Sequence, residues 1–357
     1  MSGKELKRQH RSPNVKTAQN LRILGIETSC DETAAAVTEN GGKPLSSVVA
    51  SQIDFHAQYG GVFPEMASRQ HILTIYSVIE RALQQAHLSL QEIDAIAVTR
   101  GPGLPGSLLV GLNVAKGMAL ASGKPIIGIH HVEGHIYSAW VETEIAASGL
   151  QFPILALIVS GGHTMLILIN DHLSYRVLGQ TLDDAAGEAF DKVARLLNLS
   201  YPGGPSIEKA AKGGNPKAFE FPRAVQKDAW NFSFSGLKTA VLYQIRNLEN
   251  KHISLPVADL AASFQQAVVD VLVGKTLNAA QTFQAKSILV AGGVSANRAL
   301  REQFLMRSTL PVVFPPLELC TDNALMVACA GYYRYINGQR DGLDMDAMPT
   351  WQLTSFS

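Results

Sequence analysis

Twice along this chain a short apolar run ends abruptly at a turn of small residues, and no other feature limits the architecture as much. Residues 21–27 read as a buried strand that runs into Thr28-Ser29-Cys30-Asp31, and residues 154–159 as another that runs into Ser160-Gly161-Gly162-His163. Each is followed by a second apolar stretch, 34–37 with a hairpin turn at Asn40-Gly41-Gly42, and 165–169. Helical spacing comes next. In the first cycle it covers 72–86 and 107–122, with a short strand at 93–99 between them. In the second it covers 185–197, 207–212, 236–247 and 257–283. A late strand at 287–291 opens into Gly292-Gly293-Val294-Ser295-Ala296-Asn297 and one more helix. The pattern predicts a duplicated α/β architecture with a cleft between its halves. At 357 residues the chain is long enough for two cores.

Composition narrows the class. Hydrophobic content of 46% against 17% charged residues describes a well-buried globular chain. A formal net charge of zero excludes a general nucleic-acid coat protein, although 188–251 carries ten Lys/Arg against six Asp/Glu. Cys30, Cys320 and Cys329 are few, dispersed and odd in number, which suits a reducing compartment better than a disulfide framework. No apolar run is expected to reach the roughly 18–20 residues of a membrane helix. Residues 1–20 are basic (Lys4, Lys7, Arg8, Arg11, Lys16) and lack the apolar centre of a secretion signal; they read as a disordered extension, with an organellar presequence as the alternative.

The chemistry-bearing residues fall into a few groups. His131 and His135 share one face if their segment is helical, a spacing at which two imidazoles can converge on one ion. Glu133 is one place late for the zinc-protease pattern H-E-x-x-H. A His pair alone is more often a hydrogen-bonding feature, and Asp322, before an apolar helix, is on its own more often an N-cap than a third ligand. Together they form a His₂Asp set that leaves positions open for a substrate. The small-residue turns after the buried strands expose backbone N–H groups suited to phosphate, though any single one is a conformational turn first. The Walker P-loop pattern is absent, and no clear dinucleotide fingerprint follows a strand. Asp183, Asp184, Glu188 and Asp191 crowd one helix start, which is either ordinary N-terminal acid or a face for ribose hydroxyls or a cation. Tyr201-Pro202-Gly203-Gly204-Pro205 is a rigid turn or a ligand clamp.

These motifs, in this order, resemble the universal tRNA threonylcarbamoyl-adenosine transferase family. The matching blocks include Gly25-Ile26-Glu27-Thr28-Ser29-Cys30-Asp31-Glu32-Thr33, Gly101-Pro102-Gly103, His130-His131-x-x-Gly134-His135, Val159-Ser160-Gly161-Gly162-His163-Thr164, Gly187-Glu188-Ala189-Phe190-Asp191-Lys192, Phe232-Ser233-Phe234-Ser235-Gly236-Leu237-Lys238-Thr239 and Cys320-Thr321-Asp322-Asn323. They extend from Leu21 to about Arg334 and look most like the bacterial and organellar branch. The tail after Asn337 carries no recognised motif.

The resemblance implies an actin-like ATPase fold of two ribonuclease-H-like lobes. Residues 21–150, completed by a helix at about 322–337, would form one lobe and 151–321 the other, with 338–357 as a tail. It implies transfer of a threonylcarbamoyl group from threonylcarbamoyl-adenylate to N6 of the adenosine 3′ of the anticodon, position 37, in tRNAs reading codons that begin with A. One divalent ion, iron or zinc, would sit on His131, His135 and Asp322. Ile158, Val159, Ser160, Gly161, Gly162, Asp191, Gly204, Glu208 and Asn297 would contact the donor. Glu32 and His163 are both candidates for the group that takes the amine proton. The implied partners are tRNA with a smaller paralogous actin-fold subunit and a small P-loop ATPase, or a second copy of the chain in an organelle. No membrane is implied, and the compartment is the cytoplasm, or a mitochondrion or plastid if 1–20 is a presequence. The rival readings are a metalloprotease built on the His pair, a sugar-kinase-like phosphotransferase and a non-catalytic scaffold.

Overall fold

The computed structural model describes residues 20–141, 150–224 and 230–354. The basic extension, apart from Asn20, therefore lies outside the described residues.

Two five-stranded sheets carry the fold. The first holds β1 (Arg22–Glu27), β2 (Glu32–Glu39), β3 (Lys43–Ser51), β4 (Ala95–Gly101) and β5 (Ile126–His130) in the order β3-β2-β1-β4-β5. The second holds β6 (Ile154–Val159), β7 (Thr164–Asp171), β8 (Ser174–Gln180), β9 (Ser287–Ala291) and β10 (Val312–Val313), ordered β8-β7-β6-β9-β10. β1 pairs antiparallel with β2 and parallel with β4; β6 likewise pairs antiparallel with β7 and parallel with β9. The doubling expected from the sequence is thus a doubling of sheet topology. β6 is an unbroken apolar run, and β9 is apolar after Ser287, because both are fully buried strands inside their sheet.

The helices are α1 (Ile53–Ala57), α2 (Pro64–Gln85), α3 (Pro105–Ser122), α4 (His131–Tyr137), α5 (Ala186–Leu196), α6 (Gly203–Ala210), α7 (Ser235–Asn250), α8 (Val257–Thr282), α9 (Arg298–Arg307) and α10 (Ala324–Ile336). α2 begins eight residues earlier than periodicity predicts. Pro64 pre-sets its first turn, and the residues that follow it are too polar to show a stripe. α8 corrects one expectation: it is long and apolar enough to cross a bilayer, yet 61% of its most apolar window is buried within the protein.

Three cores result. One lies between the first sheet and α2 and α3, another between the second sheet and α5 to α9, and a central one joins the facing sides of both sheets to α4 and α10. α10, from the far end of the chain, rests on β1, β2 and β4. Gly25 permits this, since a Cβ there would fall 2.3 Å from the Ala324 carbonyl oxygen. The N-terminus of α10 is thereby brought to the edge of the central core, beside α4.

Candidate metal centre and cleft

β5 ends at His130 and α4 starts at the next residue, so His131 and His135 fall one helical turn apart on a shared face. Gly134 lets α4 approach α10 closely, because a Cβ there would lie 3.2 Å from Met326 Cγ. Asn323, not Asp322, caps α10: its Oδ1 accepts the Met326 N–H at 3.0 Å. Asp322 is thereby released from the role its position suggests. Its Oδ1 stands 3.5 Å from His131 Nε2 and 3.3 Å from His135 Nε2.

Ligand atoms about 2.1 Å from a tetrahedral ion stand roughly 3.4 Å apart, so these separations suit a first-row divalent metal. His135 adds an independent sign. It is fully buried, and neither ring nitrogen has a hydrogen-bond partner, an arrangement that costs free energy unless something else engages them. Among the described residues this is the one cluster of three or more His, Cys, Asp or Glu groups able to share an ion.

A supporting layer stands behind the ligands. The Glu27 carboxylate, fully buried at the end of β1, has Oε2 3.3 Å from His131 Nδ1 and accepts its N–H, leaving Nε2 to face Asp322. Ser29 Oγ lies 3.0 Å from the same Nδ1. Glu27 is itself held by the Ser29 N–H at 2.5 Å and the Thr99 hydroxyl at 2.6 Å. Burial opposes charge on His131, but Asp322 and Glu27 outweigh it and raise its pKa to about 9. Burial likewise opposes ionisation of Asp322, yet His131 and His135 hold its carboxyl well below the usual range. Sequence reasoning gave Glu27 no role, although an acid closing an otherwise apolar buried strand was the available signal.

His163, in the β6–β7 turn, has its ring centroid 6.1 Å from that of His131. Burial, followed by the neighbouring His131 and His135, lowers its pKa to about 4, so it is neutral at pH 7. Glu32 opens β2. Burial raises its carboxyl to about 8, with Asp31 and Asp322 adding to the effect, and its Oε2 has no hydrogen-bond partner. Asp191 is also raised by burial, and Asp31 contributes across the cleft, while its Oδ1 accepts the Gly203 N–H at 2.7 Å.

The remaining predicted contacts divide. Ile158 and Val159 are fully buried core residues whose strand delivers the turn to the cleft. Ser160 is occupied by its own turn, exchanging hydrogen bonds with His163 and accepting from Gly187 N–H. Gly161, Gly162 and Gly204 face open space, with nothing within 4 Å of where a Cβ would sit. Glu208 is half-buried on α6. Asn297 is committed elsewhere: it caps α9 through the Leu300 N–H and donates to Gln265 Oε1 at 2.8 Å. The acidic helix start is largely self-neutralised. Lys192 bridges Asp184 and Glu188, and Asp183 accepts from Ser233, Phe234 and Ser235.

Glu133 settles a rival. It is fully buried and gripped by Arg334 through two nitrogens, on α10, with Nε at 2.9 Å from Oε1. It cannot serve as the general base a metalloprotease needs beside its His pair.

Two sheets of matching topology, each with its own helices, give the chain the actin-like ATPase fold. The HypF structure from T. kodakarensis is similar over 89% of this chain and 48% of its own, with a TM-score of 0.62 at 16% identity. Component A of (R)-2-hydroxyglutaryl-CoA dehydratase from Acidaminococcus fermentans is similar over 88% and 99%, with a TM-score of 0.53 at 13% identity. At such identities these likenesses speak for the fold alone.

Within that class, the chain belongs to the tRNA N6-adenosine threonylcarbamoyltransferase family, whose model, TsaD, matches residues 43–329. The enzyme of that name from Dehalococcoides mccartyi is 54% identical over 94% of this chain and all of its own length. Its namesake from Bacillus subtilis is 50% identical over 95% and 97%. The protein is a transferase that modifies tRNA.

Proposed function

We propose that the cleft holds threonylcarbamoyl-adenylate as donor, with its phosphate on the open backbone at Gly161, Gly162 and Gly204 and its reacting carbonyl turned toward the His₂Asp cluster. The observation that carries this reading is His135, buried with both ring nitrogens unpartnered beside Asp322. Iron or zinc matches the donor set. Such an ion would polarise the carbamoyl carbonyl or offset charge on the departing phosphate.

The acceptor is N6 of the adenosine 3′ of the anticodon, position 37, in tRNAs reading codons that begin with A. The N6 lone pair attacks the carbamoyl carbon, a C–N bond forms, the C–O bond to the phosphate breaks, and AMP leaves. An exocyclic amine is a weak nucleophile, so alignment and the activated anhydride supply most of the acceleration. The amine proton goes to His163, which is neutral at pH 7. Glu32, raised to about 8, carries its own proton there and serves as a hydrogen-bond donor instead.

In this reading residues 21–150, completed by the helix at about 322–337, act as one lobe against 151–321. Likeness to bacterial relatives supports a smaller paralogous actin-fold subunit and a small P-loop ATPase as partners over a homodimer, and a cytoplasmic location.

The test is incubation with synthetic threonylcarbamoyl-adenylate and unmodified tRNA, with and without those partners, reading the modified nucleoside by mass spectrometry. Wild-type protein should form it, and His163→Ala should be slower by about a hundredfold or more while keeping its metal. No product in any combination would sink the reading. Undiminished transfer by His163→Ala at pH 7 would show that His163 does not take the proton.

A further inference from the structure

A cavity of about 550 Å³ opens between β8 and the last described segment, 349–353, on the far side of His163 from the His₂Asp cluster's His131. Its inner wall includes His163 and His130, the first 6.1 Å ring to ring from His131 and the second its chain neighbour. Whatever enters it is therefore separated from the His₂Asp cluster by little more than the His163 ring.

The lining has a distinct chemistry. Among the described residues no Asp, Glu, Lys or Arg lines it, a wall poorly suited to phosphate or a carboxylate. One indole, Trp351, shares the lining with three side-chain amides, Gln180, Asn231 and Gln352, among mostly apolar groups. Trp351 is held in place: its carbonyl accepts from His130 Nε2 at 3.1 Å, and the Arg100 guanidinium sits 5.6 Å from its ring centroid. The segment around it is fastened to the first sheet and the loop after β4 by the Met348 N–H donating to the Arg100 carbonyl at 2.9 Å and the Gly103 N–H donating to the Pro349 carbonyl at 3.2 Å. An uncharged slot with one fixed aromatic face and amide groups for an edge is how proteins take a base splayed from single-stranded RNA.

We infer that this cavity is the acceptor subsite and receives the adenine base itself, stacked on Trp351 with Gln180 reading its edge, so that the exocyclic amine is delivered past His163. The inference rests on the transferase reading and divides the cleft. The charged donor takes the open glycine turns, and the uncharged base takes the slot closed by the C-terminal segment.

The experiment uses the full chain, with the partners wild type requires, synthetic donor and an unmodified anticodon stem-loop. Trp351→Ala should raise the KM for the stem-loop about ten- to a hundredfold, leaving donor KM and metal content unchanged. Trp351→Phe, which keeps a stacking face, should retain most of the affinity. Gln180→Ala, at an exposed position, should raise the same KM more modestly. An unchanged stem-loop KM in both alanine variants, or parallel loss of donor and RNA affinity in both, would overturn the subsite while leaving the transferase intact. Absence of transfer by wild type would instead count against the function on which it rests.

Discussion

β1 and β6 occupy the same place in two sheets of the same topology, yet their ends have opposite characters. β1 closes on Glu27, and its turn is packed and spoken for: Thr28 donates to the Ser107 carbonyl, and Ser29 contacts both Glu27 and His131. β6 closes on Val159, and its turn presents Gly161 and Gly162 to open space. One strand end braces a metal ligand; the other leaves backbone N–H groups for something to bind. A duplicated fold thus pairs a packed half that carries the candidate metal ligands with an open half suited to an anion.

The strongest way to break this division is at the ligands. His135→Ala should remove the metal and lower transfer on the order of a thousandfold, with donor affinity largely preserved on the open turn. Metal analysis beside donor binding checks it, and full transfer by a metal-free variant would end the account.

A matched pair of glycine substitutions probes the two turns directly. A Cβ at Gly103 would lie 2.6 Å from the Ser29 carbonyl oxygen, so Gly103→Ala must displace the packed turn. It should cost about 1–3 kcal/mol in stability and weaken metal binding through Ser29. A Cβ at Gly161 meets nothing. Gly161→Ala should melt like wild type while donor KM rises by about tenfold, one lost close approach to phosphate being worth about 1.4 kcal/mol. Equal melting temperatures for both variants would erase the contrast.

How much of this was legible beforehand depends on how locally each feature is encoded. β6 and β9 were readable to the residue because buried strands carry near-continuous apolar runs that end at small-residue turns. β5 and β8 were not. The first, Ile126–His130, is interrupted by Gly128 and runs directly into the His pair, and the second, Ser174–Gln180, has an exposed side that blurs alternation. The His pair was visible as a spacing. Its third ligand was not, because Asp322 arrives only through the packing of α10 on β1 at Gly25 and of α4 on α10 at Gly134. Nothing near residue 322 records that packing; Asp322 was singled out because two histidines call for an oxygen ligand, and the family resemblance pointed the same way. Trp351 was missed for the same reason, since its cavity is assembled from both sheets and the end of the chain.

The finest test uses the residue in which the two strand ends differ most. In the metal-free protein Asp322 and Glu27 overcome burial to hold the pKa of His131 at about 9. Below that pH the imidazole keeps a proton that a metal must displace, since coordination needs the neutral ring. The sign follows: apparent metal affinity rises with pH, about tenfold per unit, and levels off above about 9. Glu27→Gln removes one charge that favours the proton, so the break moves to lower pH, and affinity on the plateau falls about 10- to 100-fold through loss of the anchor on Nδ1. Val159→Ala, at the equivalent end of β6, should leave the titration where it was. Metal affinity that is flat between about pH 6 and 8.5, or a break unmoved by Glu27→Gln, would show that the buried acid at the end of β1 does not tune the centre.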